Sequence, residues 1–180
     1  MAVNLSMRNL RDTNLPDTIE SLLAQYRVPP HLLYVEITES AVMGDVEHTL
    51  QVLNRLFALG VRIAIDDYGT GYASLSYLKR LPADELKIDR AFVQHLTTDQ
   101  SDQAIVRSTV NMAHSLGMCV VAEGVEDQAT WDLLETLRCD IAQGYYLSRP
   151  LPAQDLERWL GARQEAAARW LDERQEAAAL

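Results

Sequence analysis

The sequence has 180 residues, with 26 acids against 16 bases for a formal charge of −10, and is 48% apolar and 23% charged. That length suits one domain, and the composition excludes a mainly disordered chain, an apolar run of the ~20 residues a membrane span needs, and a basic footprint for duplex nucleic acid. Two cysteines, Cys119 and Cys139, and four scattered histidines give neither a disulfide framework nor a zinc pattern and fit a cytoplasmic chain.

In chain order, β-branched runs predict strands over Ala2–Leu5, Leu33–Thr38, Val61–Asp66, Glu85–Asp89, Met118–Glu123 and Asp140–Tyr145. Helical patterns over Pro16–Tyr26, Val46–Leu59, Ala73–Arg80, Asp102–Leu116 and Gln128–Leu137 lie between them. In the second of these helices Val46, Leu50, Leu53, Leu56 and Phe57 form an apolar stripe. Gly60 and Gly117 stand where left-handed helix caps are expected. Alternating strands and helices predict parallel strands with crossover helices. A doubly wound open sheet is the other candidate, although no dinucleotide or Walker motif is present.

Parity within the strands favours a barrel. Val35 and Ile37, Ile63 and Ile65, Leu86 and Ile88, Val120 and Ala122 fall on one face, and Glu36, Asp66, Lys87 and Glu123 on the other. The polar face concentrates near the strands' C-terminal ends, where a (β/α) barrel carries its active site. Six strands in 180 residues fall short of the eight strands and ~250 residues typical of that fold. Beyond residue 160 the composition changes. WLGARQEAAAR (159–169) and WLDERQEAAAL (170–180) match at 8 of 11 positions, which predicts a helical extension over 161–180 following a domain over 1–160.

Asn4, Glu36, Asp66, Asp67, Lys87, Glu123 and Gln143 all fall at or just after strand ends. Singly, each has a bland reading: a helix cap, a turn residue beside Gly69 and Gly71, or a structural ion pair. As a set, several carboxylates on one rim would repel one another without cations, and oxygen donors of this kind select Mg²⁺ or Mn²⁺. Lys87 draws attention because Lys79 is the only other lysine in the chain.

Val-Asn-Leu-Ser (3–6), Glu-Ile-Thr-Glu (36–39), Asp-Asp-Tyr-Gly-Thr-Gly-Tyr (66–72), Leu-Lys-Ile-Asp (86–89), Ala-Glu-Gly-Val-Glu (122–126), Gln-Gly-Tyr-Tyr (143–146) and Ser-Arg-Pro (148–150) resemble, in order, the motifs of EAL-domain proteins. The resemblance implies an α/β fold of the EAL type, a TIM-like (β/α) barrel here lacking its first strand or strands, with the C-terminal helical extension appended. It implies metal-dependent hydrolysis of cyclic di-GMP to linear pGpG, with two Mg²⁺ or Mn²⁺ ions. Carried over by motif, Asn4, Glu36, Asp66, Asp67 and Glu123 are metal ligands, with Asp66 bridging. Lys87, Glu123 and Asp67 are catalytic, Gln143 and Asp89 bind substrate, and Glu39, Gly69 and Gly71 support the loop after the Asp-Asp pair. Tyr68 replaces a commoner phenylalanine, and the Glu-Ala-Leu segment that names the family is not among these residues. Weakened activity, association as a homodimer or through an open barrel side, and an upstream sensor domain are the corresponding expectations. The alternatives are a module that binds cyclic di-GMP or a protein partner without turnover, and a two-carboxylate glycosidase, which the 7% aromatic content supports poorly.

Overall fold

The computed structural model describes residues 1–42, 46–69 and 75–163. Two compact units divide the chain, Met1–Leu147 and Ser148–Leu180. In the first, β1 (Ala2–Asn4), β2 (Tyr34–Thr38), β3 (Arg62–Tyr68), β4 (Glu85–Ile88), β5 (Cys119–Glu123) and β6 (Ile141–Gln143) form one sheet in sequential order. Every neighbouring pair is parallel. A doubly wound sheet reverses its strand order part-way, and this one does not. Each right-handed crossover therefore places its helix on the same face, and the sheet curls as a barrel wall does.

The helices between strands are α1 (Met7–Leu10), α2 (Leu15–Tyr26), α3 (Glu39–Val42), α4 (Val46–Ala58), α5 (Leu75–Leu78), α6 (Arg90–Val93), α7 (Gln100–Ser115) and α8 (Gln128–Thr136). Their ends follow local chemistry. Asp99 accepts the Ser101 N–H and Asp127 the Thr130 N–H, each at 2.7 Å, capping α7 and α8. Gly60 and Gly117, as expected, take left-handed conformations at φ +88° and +79°.

The core is the layer between sheet and helices. Val35, Ile37, Ile63, Ile65, Leu86, Ile88, Val120 and Ala122 are all buried there, which is the aliphatic parity set of the sequence. The α4 stripe needs one correction. Thr49, Leu50, Val52, Leu53 and Leu56 are buried, whereas Phe57, in the last turn before the chain leaves for Gly60, is 47% exposed. Strand β6 is also shorter than Asp140–Tyr145. A Cβ on Gly144 would lie 2.1 Å from the Val125 carbonyl oxygen, so the chain turns there against the loop after β5. Helices α1, α3 and α6 and the 3-10 turn Pro30–Leu32 were not expected. Each is too short to display a hydrophobic period.

In the second unit residues 153–163 are helical, and the Arg163 guanidinium lies 4.6 Å from the Trp159 ring centroid. Residues 164–180 of the duplicated segment, Gly71, and residues 73–74 of the helix expected over Ala73–Arg80 lie outside the described residues.

Candidate active site

Parallel register lines up the C-terminal ends of the strands. Asn4 stands beside Glu36, Thr38 beside Asp66, and Glu123 beside Gln143. Lys87, on β4 near the middle of this row, is 6% exposed. Its Nζ lies 3.0 Å from Glu36 Oε1, 3.0 Å from Asp66 Oδ1 and 2.7 Å from Glu123 Oε1. Three strands thus send one carboxylate each to a single ammonium on a fourth. Burial alone would depress the lysine pKa, but hydrogen bonds to Glu123, Glu36 and Asp66 outweigh it and hold the ammonium above its ordinary value.

Asp67 reaches the same rim by a backbone irregularity. Ile65 pairs with Leu86 and Tyr68 with Ile88, so three steps along β3 match two along β4. The extra residue is a β-bulge, and Asp67 sits in it at φ +55°, with its N–H donating to Asp66 Oδ1 at 3.1 Å. Strict alternation would send Asp66 and Asp67 to opposite faces. The bulge keeps both near Lys87. Burial, the Asp66 charge and a hydrogen bond with Asp89 raise the Asp67 pKa, against a smaller opposing pull from Lys87. Asp89 also caps α6 by accepting the Ala91 N–H at 2.7 Å.

Glu39 is 4% exposed at the start of α3, and its Oε2 accepts the Gly69 N–H at 3.0 Å. Gly69 has φ +99°, and a Cβ there would meet the Phe92 ring at 2.7 Å. This hydrogen bond fixes the exit from β3 directly after the Asp-Asp pair. Sequence parity did not single out Phe92, whose packing becomes visible only in three dimensions.

Four carboxyls, Glu36, Asp66, Asp67 and Glu123, therefore surround one ammonium, an all-oxygen donor set carrying excess negative charge. That chemistry fits a hard divalent cation. As the side chains stand, no group of three or more His, Cys, Asp or Glu among the described residues closes around one metal position, because three of the acids close around Lys87 instead. A cavity of about 180 Å³ adjoins the cluster at Glu123 and Gln143. A larger one of about 430 Å³, lined by Leu23, Pro30 and Leu59 among others, contains none of the candidate residues.

A parallel barrel-type sheet with a carboxylate–lysine cluster at the carboxyl ends of its strands defines an α/β domain whose charged side chains gather where a (β/α) barrel carries its active site. The EAL-domain family model matches residues 1–150, and the chain belongs to that family. It is 46% identical over 156 residues to the bifunctional diguanylate cyclase/cyclic di-GMP phosphodiesterase MucR of Pseudomonas aeruginosa, covering 87% of this chain and 23% of the relative. It is 42% identical over 168 residues to the cyclic di-GMP phosphodiesterase NbdA of the same organism, covering 93% and 22%. The chain thus spans less than a quarter of the length of these relatives. The solved EAL domain of DcpA from Mycobacterium smegmatis superposes with a TM-score of 0.85 at 38% identity, covering 89% of this chain and 72% of that one. The TIM-like barrel fold of the family is therefore the fold of this chain. A manganese and cyclic di-GMP complex of BlrP1 from Klebsiella pneumoniae superposes at 0.77 and 34% identity, covering 83% and 38%. No helix among the described residues is long and apolar enough to cross a membrane.

Proposed function

We propose that this chain is a phosphodiesterase module that hydrolyses cyclic di-GMP to linear pGpG with the help of Mg²⁺ or Mn²⁺. The observation that carries the reading is the convergence of Glu36, Asp66 and Glu123 on Lys87 within 3.0 Å at the strands' carboxyl ends. The relatives' named activity and the manganese complex of BlrP1 support it.

In this reading Asn4, Glu36, Asp66, Asp67 and Glu123 would hold the ions. When bound, the ions would supply Lewis-acid polarisation of the phosphoryl oxygens and of the nucleophilic water. A water oxygen attacks phosphorus, the bond from phosphorus to the ribose 3′-oxygen breaks, and that oxygen leaves with a proton. Lys87 donates hydrogen bonds to the nucleophile or to the developing phosphoryl charge. Glu123 and Asp67 accept and pass on the water's protons. Gln143 and Asp89 border the substrate, the latter while bonded to Asp67. Glu39 and Gly69 hold the loop that positions the Asp-Asp pair.

The test is to incubate the chain with cyclic di-GMP and Mn²⁺ and separate the products by chromatography. Linear pGpG that disappears with a chelator and with Asp66→Asn is the expected result. Tight binding without product would replace the enzyme reading by that of a cyclic di-GMP-binding module. Neither binding nor product would overturn both.

A further inference from the structure

The EAL-domain match ends at residue 150, and none of the candidate site residues lies in the 11-residue duplication that follows it. The first repeat (159–169) begins inside the described helix over 153–163. On that helix Leu156 and Leu160 are 43% and 46% exposed. Trp159 stands beside them, with the Arg163 guanidinium over its ring at 4.6 Å. Three helical turns hold about 11 residues, so in a helix continued through the second repeat (170–180) Trp170 and Leu171 fall within about 20° of Trp159 and Leu160. Ala166 and Ala167 come between them on the same face. A helix with such a stripe gains most of its stability by packing the stripe against another surface.

The differences between the repeats say which surface. Asp172 stands for Gly161, Glu173 for Ala162 and Leu180 for Arg169, and each exchange makes the second repeat one charge more negative than the first. The first repeat, with Arg163 and Arg169 against Glu165, carries +1, and the second, with Arg174 against Asp172, Glu173 and Glu176, carries −2. Consecutive stretches of one helix cannot lie against each other, so a single chain cannot match these opposite charges. We propose that the segment over 153–180 is a self-association element, which pairs antiparallel with the same segment of a second copy of this chain. A two-fold axis then sets the basic repeat of each copy on the acidic repeat of the other, and the duplicated Trp-Leu steps give both halves of the interface the same knobs. Parallel pairing would set like charge on like. The chain as a whole is acidic, which leaves the first repeat as the natural counterpart of the second. The inference is independent of the phosphodiesterase reading.

The test is sedimentation of the full chain. From about 1 to 100 µM it should show a monomer–dimer equilibrium that weakens as salt rises to about 0.5 M. Leu160→Glu combined with Leu171→Glu should weaken the dimer about tenfold or more. Two recoded chains read the orientation. One gives the first repeat the charges of the second, by Gly161→Asp, Ala162→Glu and Arg169→Leu. The other gives the second repeat the charges of the first, by Asp172→Gly, Glu173→Ala and Leu180→Arg. A Cβ at Gly161 meets nothing within 4 Å, and circular dichroism checks that every variant keeps its helix. Each recoded chain alone should self-associate about fivefold more weakly than wild type, and their equimolar mixture should recover the wild-type affinity, because acidic repeats then meet basic ones along the whole length. A wild-type chain that is monomeric throughout, or a dimer unmoved by the paired glutamate substitutions, would overturn the proposal. Recoded chains that each dimerise as tightly as wild type would overturn the antiparallel pairing.

Discussion

Lys87 Nζ and Glu123 Oε1 lie 2.7 Å apart across the β4–β5 pair, the shortest of three contacts that one ammonium makes with carboxylates from three strands. The lysine side chain is 8% exposed and its partners between 14% and 22%, so these charges depend on one another rather than on water. Replacing Lys87 by methionine keeps the volume and removes the cation. The variant should lose about 3 kcal/mol in denaturant titration, the usual cost of leaving buried charge unpaired. Added Mn²⁺ should restore more stability to the variant than to wild type, since the acids are then free for the ion. Lys87→Arg should fold normally and fail to hydrolyse cyclic di-GMP, because a planar fork cannot take the place of a compact ammonium.

Divalent ions should raise the melting temperature of the wild-type chain. At an ion concentration 100 times the dissociation constant the gain is about 2.7 kcal/mol. Asp66→Asn should abolish most of it and Glu39→Gln little, because the Glu39 carboxylate accepts the Gly69 N–H and is not among the proposed ligands. Differential scanning fluorimetry with Mg²⁺ and Mn²⁺ checks both.

Glu39→Ala removes the acceptor of a backbone N–H at the end of β3 from a position that is 4% exposed. A loss of about 1–3 kcal/mol is expected in chemical denaturation. Hydrogen exchange at the Gly69 amide should accelerate more than elsewhere in the sheet.

Gly144→Ala should be more damaging than either carboxylate change. The added Cβ would lie 2.1 Å from the Val125 carbonyl oxygen and 2.3 Å from its nitrogen, and backbone cannot swing aside as a side-chain tip can. Destabilisation of about 3 kcal/mol or more is expected, read as loss of soluble folded protein or a lowered denaturant midpoint. Gly117→Ala has no neighbour within 4 Å and should cost only the strain of its φ of +79°, about 1 kcal/mol.

Asp140 supplies an acid-dependent increment. Burial pushes its carboxyl up, but hydrogen bonds from His114 at 2.8 Å and the Val120 N–H at 2.8 Å outweigh that and hold it below the usual carboxylate range. With the folded pKa below the unfolded value of about 3.9, the contribution is complete above the unfolded value and drains away as pH falls through the folded one. Denaturant midpoints measured from about pH 5 downward should fall more steeply for wild type than for Asp140→Asn.

The sequence by itself determined the wall and its polarity. Period-two alternation placed Val35, Ile63, Leu86 and Val120 on one face and Glu36, Asp66, Lys87 and Glu123 on the other, because side-chain direction along a strand is a local property. Gly60 and Gly117 marked helix ends for an equally local reason. Register is not local. That Glu36, Asp66 and Glu123 meet on the Lys87 ammonium depends on how far each strand slides past its neighbour, which the sequence of one strand does not state. Asp67 is the sharpest case: alternation turns it away from Asp66, and a bulge that exists only in the pairing of β3 with β4 brings it back. The cavity beside Glu123 and Gln143 has the same origin, since Arg90 and Glu126, which also line it, belong to different strand–helix turns and share a space only because β4 and β5 are neighbours. Local stereochemistry chose the faces, and the packing of strand against strand chose which side chains would touch.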